Sequence, residues 1–214
     1  MAKNFAMAVL LGGFALLGTS IGAMAEEGKS PGDVMVRVRG LLISPDVTSS
    51  VSAIGGRVEA SQTAVPEVDI SYFFTSNVAV ELIAATNRHS LKDVGSTAGT
   101  VNLGKVTLLP PTLTAQYHFF PKEKISPYLG AGLNYTFFYD NKAPGGIVQS
   151  ISYDNSVGYA LQAGVDFQLA GNWYANVDLK KLFLETRARI NGGAVVGNVR
   201  LDPWIVGLGI GYKF

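Results

Sequence analysis

The chain has 214 residues, with 17 Lys and Arg against 16 Asp and Glu, a formal net charge of +1. That balance offers no basic field for nucleic acid. The absence of cysteine excludes a disulfide framework and any thiolate metal site.

The N-terminal stretch reads as an export address. Lys3 supplies a basic start, residues 5–17 form a short apolar core, and Ala23-Met24-Ala25 is a small-x-small cleavage site. Residues 1–25 are therefore predicted to be a signal peptide, leaving 26–214 as the mature unit. Beyond it no apolar run is long enough for a membrane helix, although 48% of the residues are hydrophobic. The apolar residues come instead in alternation. An exported chain of that kind has one membrane architecture open to it, a closed antiparallel β-barrel in the outer membrane of a Gram-negative bacterium.

Eight strand-like segments follow in order. The first, 33–44, sets Val34, Val36, Val38 and Leu42 against Arg37 and Arg39. The second ends at Phe74, with Val68, Ile70 and Tyr72 opposite Glu67, Asp69 and Ser71; the third, 78–88, places Glu81 inward. The fourth, 105–120, alternates Leu113, Ala115 and Tyr117 with Thr114, Gln116 and His118. The fifth, 127–139, sets Leu129, Leu133 and Tyr135 against Gly130, Gly132 and Asn134. The sixth, 156–169, alternates around Gln162 and Asp166, and the seventh spans 173–187. The eighth, 204–214, has Trp204, Val206, Leu208, Ile210, Tyr212 and Phe214 on one face and Gly207, Gly209 and Gly211 on the other. Aromatics end that greasy face on both sides, as expected of a strand that crosses a bilayer. Short turns alternate with four long connections near 45–64, 89–104, 140–155 and 188–200. The fold class is thus all-β, an eight-stranded transmembrane barrel with four long extracellular loops and short periplasmic turns.

Ordering the inward residues by height divides the lumen. A charged periplasmic floor is predicted from Arg37, Arg39, Asp69, Glu81, His118, Asp166, Asp178 and Lys180, with both signs present so that they can pair across a narrow bore. Above it the inward residues Leu41, Ile43, Ile83, Leu108, Phe138, Leu182 and Leu184 are apolar. The last two keep that orientation only if no bulge intervenes near Lys180-Lys181. This upper lumen is either a site for a small hydrophobic solute entering from outside or plain core packing.

Pro110-Pro111 interrupts the fourth strand. Proline donates nothing to a ladder, so neighbouring acceptors are expected to lack an inter-strand partner there. The wall is then locally unzipped as a side exit into the membrane, or it carries a rim bulge without an opening.

Catalysis and metal binding find little support. His89 at a loop edge and His118 in the floor are the two histidines, with no nucleophile placed beside either, and no ligand spacing occurs. The predictions are accordingly no enzyme, no catalytic residues, no metal and no cofactor.

Several stretches together resemble the outer membrane protein W (OmpW) family, which includes importers of AlkL type. They are Val36-Arg37-Val38-Arg39-Gly40, the run 66–75, Leu108-Leu109-Pro110-Pro111-Thr112-Leu113, Gln116-Tyr117-His118-Phe119, Pro127-Tyr128-Leu129-Gly130-Ala131-Gly132 and the run 202–214. The resemblance implies a hydrophobic channel blocked toward the periplasm, lateral release of small apolar compounds, and Tyr212 with Phe214 as the signal read by the barrel-assembly machinery. Outer-membrane lipid, lipopolysaccharide and small hydrophobic solutes are the expected partners, with no nucleic acid, and a monomer is the expected state. Two functions follow: passive uptake of hydrophobic molecules, or a filled barrel serving as anchor, adhesin or stress-protective surface protein.

Overall fold

A computed structural model describes residues 28–51, 57–97 and 99–214. The expected signal segment, 1–25, lies outside the described residues. Fourteen strands form: β1 (Val34–Ser44), β2 (Val47–Val51), β3 (Arg57–Ala60), β4 (Thr63–Phe73), β5 (Val78–Ala85), β6 (Asn87–Ser96), β7 (Gly99–Leu109), β8 (Thr112–His118), β9 (Ile125–Lys142), β10 (Ile151–Tyr153), β11 (Ser156–Ala170), β12 (Trp173–Ile190), β13 (Val195–Leu201) and β14 (Trp204–Lys213).

Eight of these close a ring. Its order is β1-β4-β5-β8-β9-β11-β12-β14, and β14 returns to β1 from Met35↔Lys213 to Ser44↔Trp204. Closure leaves no edge within the ring, which is what a strand structure needs in lipid. The remaining strands extend the wall upward. β3, β6 and β7 continue beside the upper part of β9, and β2, β13 and β10 assemble on the upper part of β12. The connections expected as long loops thus contain paired strands.

Alternation decides which side chains meet lipid. On the outside, Leu133 is 69% exposed and Val157 71%, values that a water-soluble protein would not tolerate over a continuous belt. Aromatic pairs flank this belt: Tyr72–Phe74, Tyr117–Phe119 and Trp173–Tyr212 lie near the short turns, and Tyr135–Phe137 and Tyr159–Phe183 lie higher. The Lys181 ammonium sits 4.8 Å from the Trp204 ring centre at the upper girdle.

Inside, the bore is narrow enough that glycines must face large side chains. A Cβ on Gly209 would lie 2.6 Å from Arg39 Cγ and against the Val38 carbonyl, and one on Gly211 would lie 2.6 Å from Arg37 Cγ. The glycines of the last strand therefore make room for the two arginines of the first. The β11–β12 register runs unbroken through Leu161↔Lys181 and Ala160↔Leu182, so no bulge disturbs Leu182 and Leu184, and both are buried.

Candidate functional site: a closed floor beneath an apolar cavity

The floor is built by strand parity. Arg37 and Arg39 point inward from β1 toward carboxylates on the strands around them. Arg37 Nε donates to Asp69 Oδ1 at 2.9 Å, its Nη2 to Glu81 Oε2 at 2.6 Å, and its Nη1 lies 3.3 Å from Asp166 Oδ1. Arg39 Nε donates to Glu67 Oε1 at 2.7 Å, and its Nη2 lies 2.8 Å from Asp69 Oδ2. Lys180 bridges Glu67 at 3.1 Å and Asp178 at 3.0 Å. Tyr128 donates to Asp178 at 2.6 Å, and Gln162 donates to both Asp178 and Glu81. All of these residues are buried. Desolvating charges costs several kcal/mol per ion, and the close opposite charges of this set offset it, including at Asp69 Oδ2 and Asp178 Oδ1, which have ion-pair contacts with Arg39 and Lys180 but no well-aligned hydrogen bond.

The predicted floor residues thus meet in one network. Several members were absent from the predicted floor set, Gln162 among them. Glu67 has the right parity but was read only as an inward strand residue, and Tyr128 was read only within a motif. Lys29 comes from the segment before β1 and enters the bore from below. Its Nζ donates to Asp166 at 2.7 Å, Ser126 at 3.0 Å and His118 Nδ1 at 2.8 Å. An ammonium can only donate, so His118 Nδ1 accepts and its Nε2 donates to Gln116 Oε1 at 3.1 Å. Below lies a small cluster of Met35, Phe73, Ala79 and Tyr174. His118 is enclosed on all sides by this packing.

Above the network the interior changes chemistry. Leu41, Ile43, Leu182 and Leu184 form one buried cluster with Ala85, Ala160 and Ile205. Leu108 belongs to a second, higher cluster with Val58, Leu91, Leu103, Val106 and Ile151, and Phe138 packs against both. Ile83 is buried but does not line the cavity between them. That cavity has a volume of about 80 Å³ and reaches from Ile205 and Leu182 upward to Val58 and Leu103. It is long, narrow and overwhelmingly apolar.

Pro110 lines the cavity, and both prolines sit where one ladder fails. Below them Ile83 pairs with Thr112, above them Asn87 pairs with Leu108, and the offset is the same on both sides. The strand therefore carries no bulge at this point. Across the gap Ala84, Ala85 and Thr86 face Leu109, Pro110 and Pro111 without ladder pairing, and among the described residues only Thr86 Oγ1, donating to Leu108 O at 3.2 Å, spans it. The prolines' own carbonyls are not orphaned. Pro111 O accepts from Tyr135 N–H at 3.1 Å, and Asn134 Nδ2 donates to Pro110 O at 3.2 Å and Pro111 O at 3.3 Å. On the β9 side the ladder also skips both prolines, but one backbone bond and the inward Asn134 amide hold that wall, so the break is widest on the β5–β6 side.

The OmpW family profile matches residues 30–214. The chain belongs to the OmpW family. It is 42% identical over 198 residues to the uncharacterized outer-membrane protein y4mB of Sinorhizobium fredii, covering 90% of this chain and 85% of that protein. It is 35% identical over 175 residues to outer membrane protein W of Escherichia coli K12, covering 77% of this chain and 79% of that one. Among solved structures, OprG of Pseudomonas aeruginosa superposes with a TM-score of 0.79 at 28% identity, over 87% of this chain and 98% of that chain. This OmpW-family chain is accordingly an outer-membrane β-barrel of a Gram-negative cell.

Proposed function

We propose that the protein is a passive channel for uptake of small hydrophobic molecules, which enter the upper cavity from outside and leave sideways into the membrane at Pro110-Pro111. One observation carries the reading: the apolar cavity stands above a floor of buried, mutually paired charges, and Pro110 lines it where the wall loses its ladder. An apolar solute gains nothing by entering the floor, since separating paired charges in a dry bore costs several kcal/mol. At the break it meets two alanines, a threonine whose hydroxyl spans the gap, two prolines and a leucine, with lipid beyond.

Lateral exit needs little rearrangement. The strands on either side keep register, so a solute has only to part side chains, not to break a continuous ladder of hydrogen bonds. Uptake into vesicles carrying the refolded protein tests the reading with matched labelled solutes, one apolar and one small and polar. Selective apolar uptake above empty vesicles is expected. Uptake of the polar solute alone would mean that the floor conducts. No uptake of either would move the protein to an anchor or surface role.

A further inference from the structure

The cavity lining is largely apolar; its polar members are a stripe on β6, Thr136, whose hydroxyl donates to Asn134 Oδ1, and the Tyr153 phenol, which no hydrogen bond joins to the stripe among the described residues. Asn87, His89 and Asp93 are buried, share the inward parity of that strand and line the cavity, separated only by Leu91. Each carries an acceptor, in Asn87 beside the donors of its own amide. Asn87 Oδ1 has no hydrogen-bond partner among the described residues. His89 Nδ1 lies 2.8 Å from the Ser61 carbonyl oxygen. A carbonyl only accepts, so Nδ1 carries the proton and Nε2 of the neutral ring presents a lone pair. Asp93 is 1% exposed, and apart from the adjacent Val94 amide neither of its oxygens has a partner among the described residues. Its cross-strand neighbours are Val58 and Val101, which can offer it nothing.

Buried acceptors without donors are costly, and three on one strand face are not a packing solution. Along a strand this stripe extends over about 20 Å. It runs from Asp93 in the higher apolar cluster down to Asn87, two residues above Ala85 at the ladder break. The missing component is a donor, and the aliphatic surroundings require that it arrive on an apolar tail.

We propose that the upper cavity selects amphipathic cargo, namely alkyl-chain primary amines whose N–H donors are taken by Asp93 and handed to His89 and Asn87 while the tail packs on Leu91, Leu103 and Leu108. This deepens the channel reading and rests on it. A carboxylate head of equal tail length is disfavoured, because it brings acceptors to acceptors and a second negative charge to Asp93. An unsubstituted alkane fills the cavity but leaves the stripe unpartnered. Burial among valines holds the Asp93 carboxyl above its ordinary range, and an arriving ammonium relieves that cost.

The test is titration of the full-length refolded protein in lipid nanodiscs with n-octylamine, octan-1-ol and octanoate. The readout is the NMR shifts of the β6 amides and the His89 ring, with empty nanodiscs correcting for lipid partitioning. Octylamine should saturate these shifts at least tenfold below octanoate, with octanol between. Asp93→Asn should reduce the amine preference to within about threefold while leaving octanol unchanged. Asp93→Ser, smaller and unable to carry charge, should do the same, which guards against a packing defect peculiar to one variant. Equal affinity for amine and carboxylate, or an amine preference that survives both substitutions, overturns the proposal. Uptake of an unsubstituted alkane by vesicles, measured alongside, reports the channel itself and separates failure of the stripe from failure of the channel.

Discussion

The two halves of the lumen use the same backbone pattern and opposite chemistry. In the floor, inward positions hold Arg37, Arg39, Asp69, Glu81, Asp166, Asp178 and Lys180, each answered by a partner. In the upper half they hold aliphatics, and the few polar groups on β6 go unanswered. A satisfied network specifies one arrangement and resists entry. An apolar space with open acceptors does neither, which is the property a binding region needs.

The largest effect should come from breaking the floor. Arg37→Met leaves Asp69, Glu81 and Asp166 short of a cation in a dry bore, and removing one partner of such a set costs about 3–5 kcal/mol. Urea unfolding of the refolded barrel should show this loss. If the variant is as stable as the parent, the floor is wetter than its burial implies, and the contrast between the halves weakens.

Next in size is Gly209→Val. Its Cβ would press on Arg39 Cγ and on the Val38 carbonyl, and the backbone oxygen cannot step aside. Overpacking of this kind costs about 1–3 kcal/mol. The loss should appear as faster hydrogen exchange along β1 and β14, the pair that closes the ring.

Replacing Pro110 and Pro111 together by Val restores two N–H donors, that of position 110 facing Ala85 across the break and that of position 111 facing Tyr135 on β9. Each added ladder bond is worth about 1 kcal/mol. The double variant should therefore be slightly more stable and, on the channel proposal, slower in releasing apolar solute. Equal flux in variant and parent would remove the lateral exit while leaving the cavity in place.

Much of this was legible in the sequence, for a physical reason. A period of two assigns every residue of a strand to one face, so Arg39 against Val38, Thr114 against Ala115 and Leu182 against Lys181 follow from counting once the ring is assumed. Pairing of the floor charges followed from the cost of leaving them alone. The rest was hidden where periodicity is weak. Lys29 sits in Gly-Lys-Ser-Pro-Gly, a turn-like stretch with no alternation, and its place in the bore depends on contacts with distant Asp166 and Ser126. The connections 45–64, 89–104, 140–155 and 188–200, rich in Gly, Ser, Asn and Asp, read as loops, yet much of them pairs as strands because their neighbours continue upward. Most of the acceptor stripe lies on one of them and was lost with it. At the prolines the sequence marked two missing donors, but the inward amide of Asn134 that satisfies their carbonyls comes from another strand and has no local signal.

The smallest effect concerns pH and only the upper half. Burial holds the His89 ring below its ordinary value of about 6.5. The unfolded chain therefore binds more protons than the folded one as pH falls below about 6.5. The stabilising contribution is complete above that pH and declines as pH drops toward the lowered value. Asp93 acts in the opposite direction, since its raised carboxyl takes up a proton in the folded state first, so lowering the pH relieves a cost. The measurement belongs in an Asp93→Asn background, where the histidine acts alone. Hydrogen exchange in β3 and β6, joined by the His89–Ser61 contact, should then quicken between pH 7.5 and pH 5 by a few-fold beyond the intrinsic rate change. The β1–β14 pair should hold steady, and adding His89→Gln should flatten the response. A response of equal size in both regions would place the titration in the barrel as a whole, and the upper half would lose its separate, softer character.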